Sequence, residues 1–292
     1  MIIAVYNRTF KEADLPVFSH LISSLISHSI IPVLYKPLYK HLKERLHLPE
    51  QIGVFSENIQ LPPKTKYVIS MGGDGTMLDV VTFVANKNIP ILGINIGRLG
   101  FLSSTQPSEI DMAISSIIKE TYQLDARSLV HLDSNIDLFG NAPFALNEFT
   151  LQRKDSSSLV KIKTYLNGEF LCTYWADGLI VSTPTGSTGY SLSCGGPIIF
   201  PQASSFVITP VAPHNLNMRP IIVADNSIIS FEIEGRAEQF LCTLDSRSVA
   251  ISSEVSIAVR KESFEIFLVK FEGQQFLSTL QSKLLWGVDQ RN

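Results

Sequence analysis

The spacing of apolar residues changes near position 123, and this change limits the fold more than any other feature. Before it, strand-length and helix-length patterns alternate. "MIIAVY" reads as a strand, "EADLPVFSHLISSLISHSI" carries apolar residues at helical spacing, and "IPVLYK" returns to strand character. "KPLYKHLKERLHL" is expected to be a helix, and "QIGVFSENIQLPPKTK", broken by Gly and Pro, a loop. "KYVIS" and "IPILGINI" then bracket a helical "TMLDVVTFVANKN". Such alternation predicts a parallel, doubly wound α/β domain over residues 1–123.

From Leu124 onward the helical spacing disappears. "FALNEFTLQR", "VKIKTYLNGEFLCTYWADGLIVSTP", "SFVITPV", "RPIIVADNSIISFEIEG", "QFLCTLDSRSVAI", "SIAVRK" and "FEIFLVKF" are short alternating or β-branched runs separated by polar turns. They predict an all-β domain of antiparallel strands over residues 124–274. "YLNGEF" marks a hairpin, because Asn167 and Gly168 tolerate the positive φ of a tight turn. Residues 275–292, "QFLSTLQSKLLWGVDQRN", regain a helical pattern with Phe276, Leu280, Leu284 and Leu285 on one face, and are expected to pack back onto the first domain. A chain of 292 residues is long enough for two cores.

Composition removes several function classes. Lys and Arg number 24 against 27 Asp and Glu, so the net charge of −3 leaves no general footprint for DNA or RNA. The longest apolar stretches, such as the one around Ile91 to Ile96, are far shorter than the roughly 20 residues that span a bilayer. The N-terminus lacks a basic leader and a small-residue cleavage site, so no signal peptide is expected. Cys172, Cys194 and Cys242 lie far apart without a CxxC pair, which argues for reduced thiols in a cytoplasmic protein and against a disulfide framework or zinc site. The six histidines form no HExxH pattern, and Lys36, Lys40, Lys43 and Arg45 read as a solvated helical face.

The chemistry concentrates in two stretches. "MGGDGTM", Met71 to Met77, follows the strand "KYVIS" and precedes a helix. At the carboxyl edge of a parallel sheet such a turn is where ligands bind, and Gly72, Gly73 and Gly75 let the backbone approach one closely. It is neither a Walker loop nor GxGxxG. Asp74 would repel bare phosphate but can accept a proton from an attacking hydroxyl or meet a metal ion on a triphosphate; its bland alternative is a helix cap. The second stretch, "ADGLIVSTPTGSTGYSLSCGGPII", offers Thr185, Ser187, Thr188, Ser191 and Ser193 as hydrogen-bonding groups, with Tyr190 as an aromatic face or hydroxyl. Its bland alternative is a surface Ser/Thr/Gly loop.

With these motifs in place the chain resembles the bacterial NAD kinases. The resemblance is carried by "GGDGTML" at Gly72 to Leu78, "LGINIGRLGFL" at Leu92 to Leu102, "ALNEFTL" at Ala145 to Leu151, the stretch from Ala176, and "APHNLNMRPI" from Ala212. It implies transfer of the γ-phosphoryl of ATP to the 2′-hydroxyl of the adenosine ribose of NAD, with Mg²⁺ or another divalent cation accompanying ATP and no dedicated protein metal site. Asp74 matches the proton acceptor, with Gly75 beside it, and Phe101 an aromatic near the adenine. Asn147 and Glu148 match a dinucleotide-binding pair. Asp177 matches an acid that reaches a substrate held by a neighbouring subunit of a homotetramer or homodimer. Thr185, Thr188, Gly189, Tyr190 and Ser193 match the loop around the adenine and second nucleotide, and Ala212 a further contact. Two departures stand out: Gly189 where many members have Ala, and Arg247 in "LDSR" where another polar residue is expected. The rival readings are a lipid kinase of the diacylglycerol or sphingosine type, which shares the GGDGT turn, and a non-catalytic dinucleotide-binding regulator.

Overall fold

A computed structural model describes residues 1–56, 61–97, 100–154, 160–234 and 239–284. The chain forms two compact units, one of residues 1–126 with 266–292 and one of residues 127–265.

The first unit begins with β1 (Ile2–Tyr6), α1 (Leu15–Ser27), β2 (Ile31–Tyr35), α2 (Lys36–Lys43), β3 (Gly53–Phe55), β4 (Thr65–Met71), α3 (Asp74–Val84), β5 (Ile91–Ile94), α4 (Ile110–Ile118) and β6 (Gln123–Arg127). β1, β4 and β5 are near-continuous buried runs, as strands covered on both faces must be. α1 starts on Pro16 in its first turn and buries Phe18, Leu21, Ile22 and Leu25, one stripe at helical spacing. Two local expectations change. α2 stops at Lys43, before "ERLHL". Gly53–Phe55, expected as loop, pairs parallel with β2 at the sheet edge, anchored by the buried Phe55; residues 57–60 lie outside the described residues.

The second unit runs through β7 (Val130–Ser134), β8 (Phe144–Ala145), β9 (Glu148–Arg153), β10 (Val160–Leu166), β11 (Glu169–Ala176), β12 (Gly178–Ser182), α5 (Tyr190–Ser193), β13 (Ser205–Val211), β14 (Ile221–Ala224), β15 (Ile229–Glu234), β16 (Phe240–Leu244), β17 (Arg247–Ile251) and β18 (Ile257–Lys261). The described strands make two six-stranded sheets, β11-β10-β15-β18-β7-β8 and β14-β13-β12-β9-β16-β17. Every pairing between them is antiparallel. Their inner faces share one core, in which Phe149 of β9 stacks on Phe231 of β15 with ring centroids 5.4 Å apart. The "NG" hairpin forms as expected: Leu166 faces Glu169 across Asn167 and Gly168, whose φ values are 53° and 84°. Between β8 and β9 the chain crosses from one sheet to the other within Leu146 and Asn147.

The chain then returns to the first unit as β19 (Ile266–Lys270) and α6 (Phe276–Leu284). The seven-stranded order there is β3-β2-β1-β4-β5-β19-β6, and β19 runs parallel to β5 with Leu268 opposite Ile91. A domain boundary after residue 274 is therefore too late. "FEIFLVKF" has strand periodicity, but periodicity does not say which sheet a strand joins, and the buried Ile266, Leu268 and Val269 complete the parallel sheet. Leu124 likewise belongs to β6 of that sheet. Leu280 of α6 is buried and Leu284 exposed, while Leu285 lies outside the described residues.

Candidate active site

β4 ends at Met71, and α3 starts three residues later at Asp74, so Gly72 and Gly73 must turn the chain within one step. The Gly72 N–H bonds the carbonyl of Ile94, and the Asn7 amide bonds that of Met71 at 2.7 Å, tying the turn to its neighbouring strands. Gly72 is buried, and a Cβ there would lie 2.2 Å from Thr76 Oγ1. Gly73 and Gly75 have no such crowding; Gly75 is exposed and Gly73 partly so.

Asp74 does not cap its helix. Its carboxylate turns instead to the segment after β5, where Oδ2 accepts the Phe101 N–H at 2.9 Å and Oδ1 accepts those of Leu102 and Ser103 at 3.0 and 3.4 Å. Three successive amides fix the side chain in one orientation while 30% of it stays exposed. Gly100 makes this possible, since a Cβ at that position would fall 1.9 Å from Asp74 Oδ1. The Phe101 ring lies 6.3 Å from that of Phe276 on α6. From the same helix the Lys283 ammonium stands 3.6 Å from Asp74 Oδ2 and 4.6 Å above the Phe101 ring.

In the second unit the crossing segment 146–148 meets the hydroxyl-rich stretch. Thr183 donates its hydroxyl to the Leu146 carbonyl at 2.6 Å, and its N–H to that of Asn147 at 2.9 Å. Gly186 lies against the Asn147 backbone so closely that a Cβ would sit 2.2 Å from its carbonyl oxygen. Asn147, Glu148 and Gly189 thereby converge: a Cβ on Gly189 would be 3.3 Å from Glu148 Oε2 and 3.9 Å from Asn147 Nδ2. Thr188 donates to the Thr185 carbonyl, and Thr185 Oγ1 accepts from Arg127 at 3.1 Å. Tyr190 is exposed, its hydroxyl accepting from Gln152 at 2.7 Å. Ser193 and Ala212 are also exposed, the latter with φ of 45°. Asp177 pairs with Arg153 at 3.0 Å.

Two expected ligand groups turn inward. Ser191 is fully buried and shares a hydrogen bond with Thr209, and Ser187 is fully buried with its hydroxyl spent on the Pro184 and Ile199 backbone. Both hold the loop together, a role that composition cannot separate from ligand binding. Arg247 also has a structural post, donating to the carbonyls of Ala142 and Phe144.

Asp245, Gly100 and Lys283 emerge only from the folded chain. Asp245 sits in the β16–β17 turn at φ 54° and accepts the N–H groups of Leu146, Asn147 and Glu148 at 2.9, 2.8 and 3.2 Å. Its own N–H bonds the Glu148 carbonyl. Burial pushes this acid up, while the three amides and then Arg247 pull it down. Its neighbour Glu148 is buried, has no donor to Oε2 among the described residues, and is pushed up to about 8 by desolvation first and by the charge of Asp245 second.

A carboxylate set in a glycine turn at the carboxyl end of a central parallel strand, in a chain that joins an α/β unit to a β sandwich with a hydroxyl-rich loop, marks a phosphotransferase of the α/β-plus-β kinase class. Residues 58–122 match the family model described as the ATP-NAD kinase N-terminal domain, and residues 146–271 the ATP-NAD kinase C-terminal domain. The chain is 47% identical to the NAD kinase of Cytophaga hutchinsonii over 293 residues, covering 100% of both, and 39% identical to that of Bacteroides fragilis over 99% of both. Among solved structures it resembles yeast NADH kinase complexed with NADH, at TM-score 0.87 and 21% identity over 99% of this chain and 88% of the other. It also resembles an NAD kinase from Archaeoglobus fulgidus in complex with ATP, at TM-score 0.74 and 21% identity over 98% and 99%. This chain belongs to the NAD kinase family. Relatives of this kind do not favour the lipid-kinase reading.

Proposed function

We propose that this protein transfers the γ-phosphoryl of ATP to the 2′-hydroxyl of the adenosine ribose of NAD, yielding NADP and ADP. The observation that carries the mechanism is the Asp74 carboxylate, oriented by three backbone amides at an open glycine turn. A ribose hydroxyl is a weak nucleophile, and phosphoryl transfer rests on positioning and charge stabilisation. Asp74 holds the hydroxyl in line and takes its proton as the new P–O bond forms. Gly72, Gly73 and Gly75 leave room for dinucleotide and phosphates beside it, and Phe101 offers an aromatic face.

Asn147 and Glu148 bind the dinucleotide. Asn147 supplies an amide, and Glu148 a carboxyl, both able to hydrogen-bond a ribose or carboxamide. Thr185, Thr188, Gly189, Tyr190, Ser193 and Ala212 form the nucleotide loop, with Ser191 supporting it from within. A divalent cation such as Mg²⁺ comes with ATP, neutralising phosphate charge when bound. Such an ion keeps mostly phosphate and water ligands and needs few from the protein. No described helix is long and apolar enough to cross a membrane, and the three cysteines are free; the cytoplasm is the proposed location. The protein works as a homodimer or homotetramer, in which Asp177 serves a neighbouring protomer's substrate.

The test is a coupled assay for NADP with NAD, NADH and diacylglycerol as competing acceptors. NADP formed with ATP consumption is expected, and binding of NAD without turnover would leave only a regulator. Asp74→Asn should lower kcat by about 10²-fold or more with the fold retained; a variant with unchanged kcat would remove Asp74 from the chemistry.

A further inference from the structure

We propose that Lys283, near the end of α6, is a catalytic cation that meets the transferring phosphoryl group. The proposal rests on the reading of Asp74 as proton acceptor, and it follows from distances around that carboxylate. A hydroxyl that gives its proton to Asp74 lies about 2.6–3.2 Å from a carboxylate oxygen. The phosphorus it attacks is about 3–3.5 Å further on. A cation already 3.6 Å from Asp74 Oδ2 therefore stands within one side-chain rotation of the phosphoryl oxygens. Its four-carbon stem permits that rotation, and a lysine ammonium is a compact point charge well suited to phosphate.

The placement is built from several directions. The Phe101 ring supports the ammonium from below at 4.6 Å, while the Phe101 N–H holds Asp74 Oδ2, so one residue registers both charged groups. Gln274, just before α6, accepts from Ser104 at 3.1 Å and donates to Thr105 at 3.3 Å, and Phe276 contacts Phe101, fastening the helix to the segment that clamps Asp74. About a third of the Lys283 side chain is exposed, so it neither fills a core nor is shut away from a ligand.

In the reaction the 2′-oxygen forms its bond to the γ-phosphorus as the bond from phosphorus to the β–γ bridging oxygen breaks. ADP leaves with that electron pair, and the hydroxyl proton passes to Asp74 and then to solvent. As the Asp74 carboxylate is neutralised its hold on Lys283 weakens, and the ammonium moves to the equatorial phosphoryl oxygens, where charge is spread in the transition state.

Lys283→Met and Lys283→Arg are compared in the full-length chain, with Asp74→Asn in parallel. Lys283→Met should lower kcat by about 10²-fold, the scale of one lost electrostatic contact at a reacting oxygen, with KM for NAD unchanged and thermal midpoint within error of wild type. Lys283→Arg should recover most of kcat. If Lys283→Met keeps wild-type kcat while Asp74→Asn is inactive, the Lys283 proposal fails alone. If Asp74→Asn keeps wild-type kcat, the underlying reading of Asp74 fails. A loss in Lys283→Met accompanied by a fallen thermal midpoint, with no recovery in Lys283→Arg, would make Lys283 structural and overturn the proposal.

Discussion

Asp74 and Asp245 are held by the same backbone device in opposite surroundings. Each carboxylate accepts three successive amides, 101–103 for Asp74 and 146–148 for Asp245. Asp74 keeps part of its surface open and has a lysine as neighbour. Asp245 is enclosed and has another acid as neighbour, Glu148, which is pushed up first by its own burial and then by the charge of Asp245. An amide clamp therefore fixes where a carboxylate points, and its surroundings decide how open it stays and which charges it meets.

The sharpest break of this contrast is Asp245→Ala. It strips three buried amides of their acceptor, and destabilisation of about 3–5 kcal/mol is expected by denaturant unfolding. A loss below about 1 kcal/mol would mean that the clamp at 146–148 does not depend on it. Gly100→Ala acts on the other clamp. The new Cβ drives Asp74 out of register, and kcat should fall about 10²-fold, roughly 2.7 kcal/mol, with a small change in thermal midpoint. Wild-type turnover in that variant would show that the three amides are not needed for catalysis.

Glu148→Gln probes the acid pair through pH. The Glu148 carboxyl is pushed up to about 8 in the folded state from an ordinary value of 4.5, so folding takes up a proton between those values. Its contribution is complete below about pH 4.5 and is lost as pH rises through about 8. The variant should gain on wild type by on the order of 2 kcal/mol at pH 8–9, with the gain fading toward pH 5. A pH-independent difference would contradict the shared burial of Glu148 and Asp245. The smallest effect is expected at Arg153→Met: its partly exposed pair with Asp177 should contribute less than about 1 kcal/mol to stability.

How legible these sites were in the sequence follows from the range of the contacts that make them. The strand, glycine turn and helix around Asp74 are consecutive, and so is the "NG" hairpin, so local rules suffice for both. The convergence of Asn147 and Glu148 with Gly189 needed the family motifs, because sheet pairing brings those residues together. Gly100 in "RLGFL" and Asp245 in "LDSR" left only weak signals: a glycine near a ligand loop, and an acid tolerant of positive φ. Lys283 left none beyond its helical stretch, since its partner is the far-off Asp74. Ser187 and Ser191 fail in the other direction, because a hydroxyl that braces a loop and one that binds a nucleotide look alike in a string of letters.

The position of β19 sets an order of events during synthesis. This strand lies between β5 and β6, yet it is made only after the entire second unit. A nascent chain can pair β1 to β5 early, but β6 has no neighbour to join until residues 266–270 emerge. Until then Thr105 bridges the β5 edge at Ile94, and the stretch around Ile91 waits for its partner strand. The helix that brings Lys283 beside Asp74 emerges later still, so the grouping of Asp74, Phe101 and Lys283 is assembled only once nearly all of the chain has been translated.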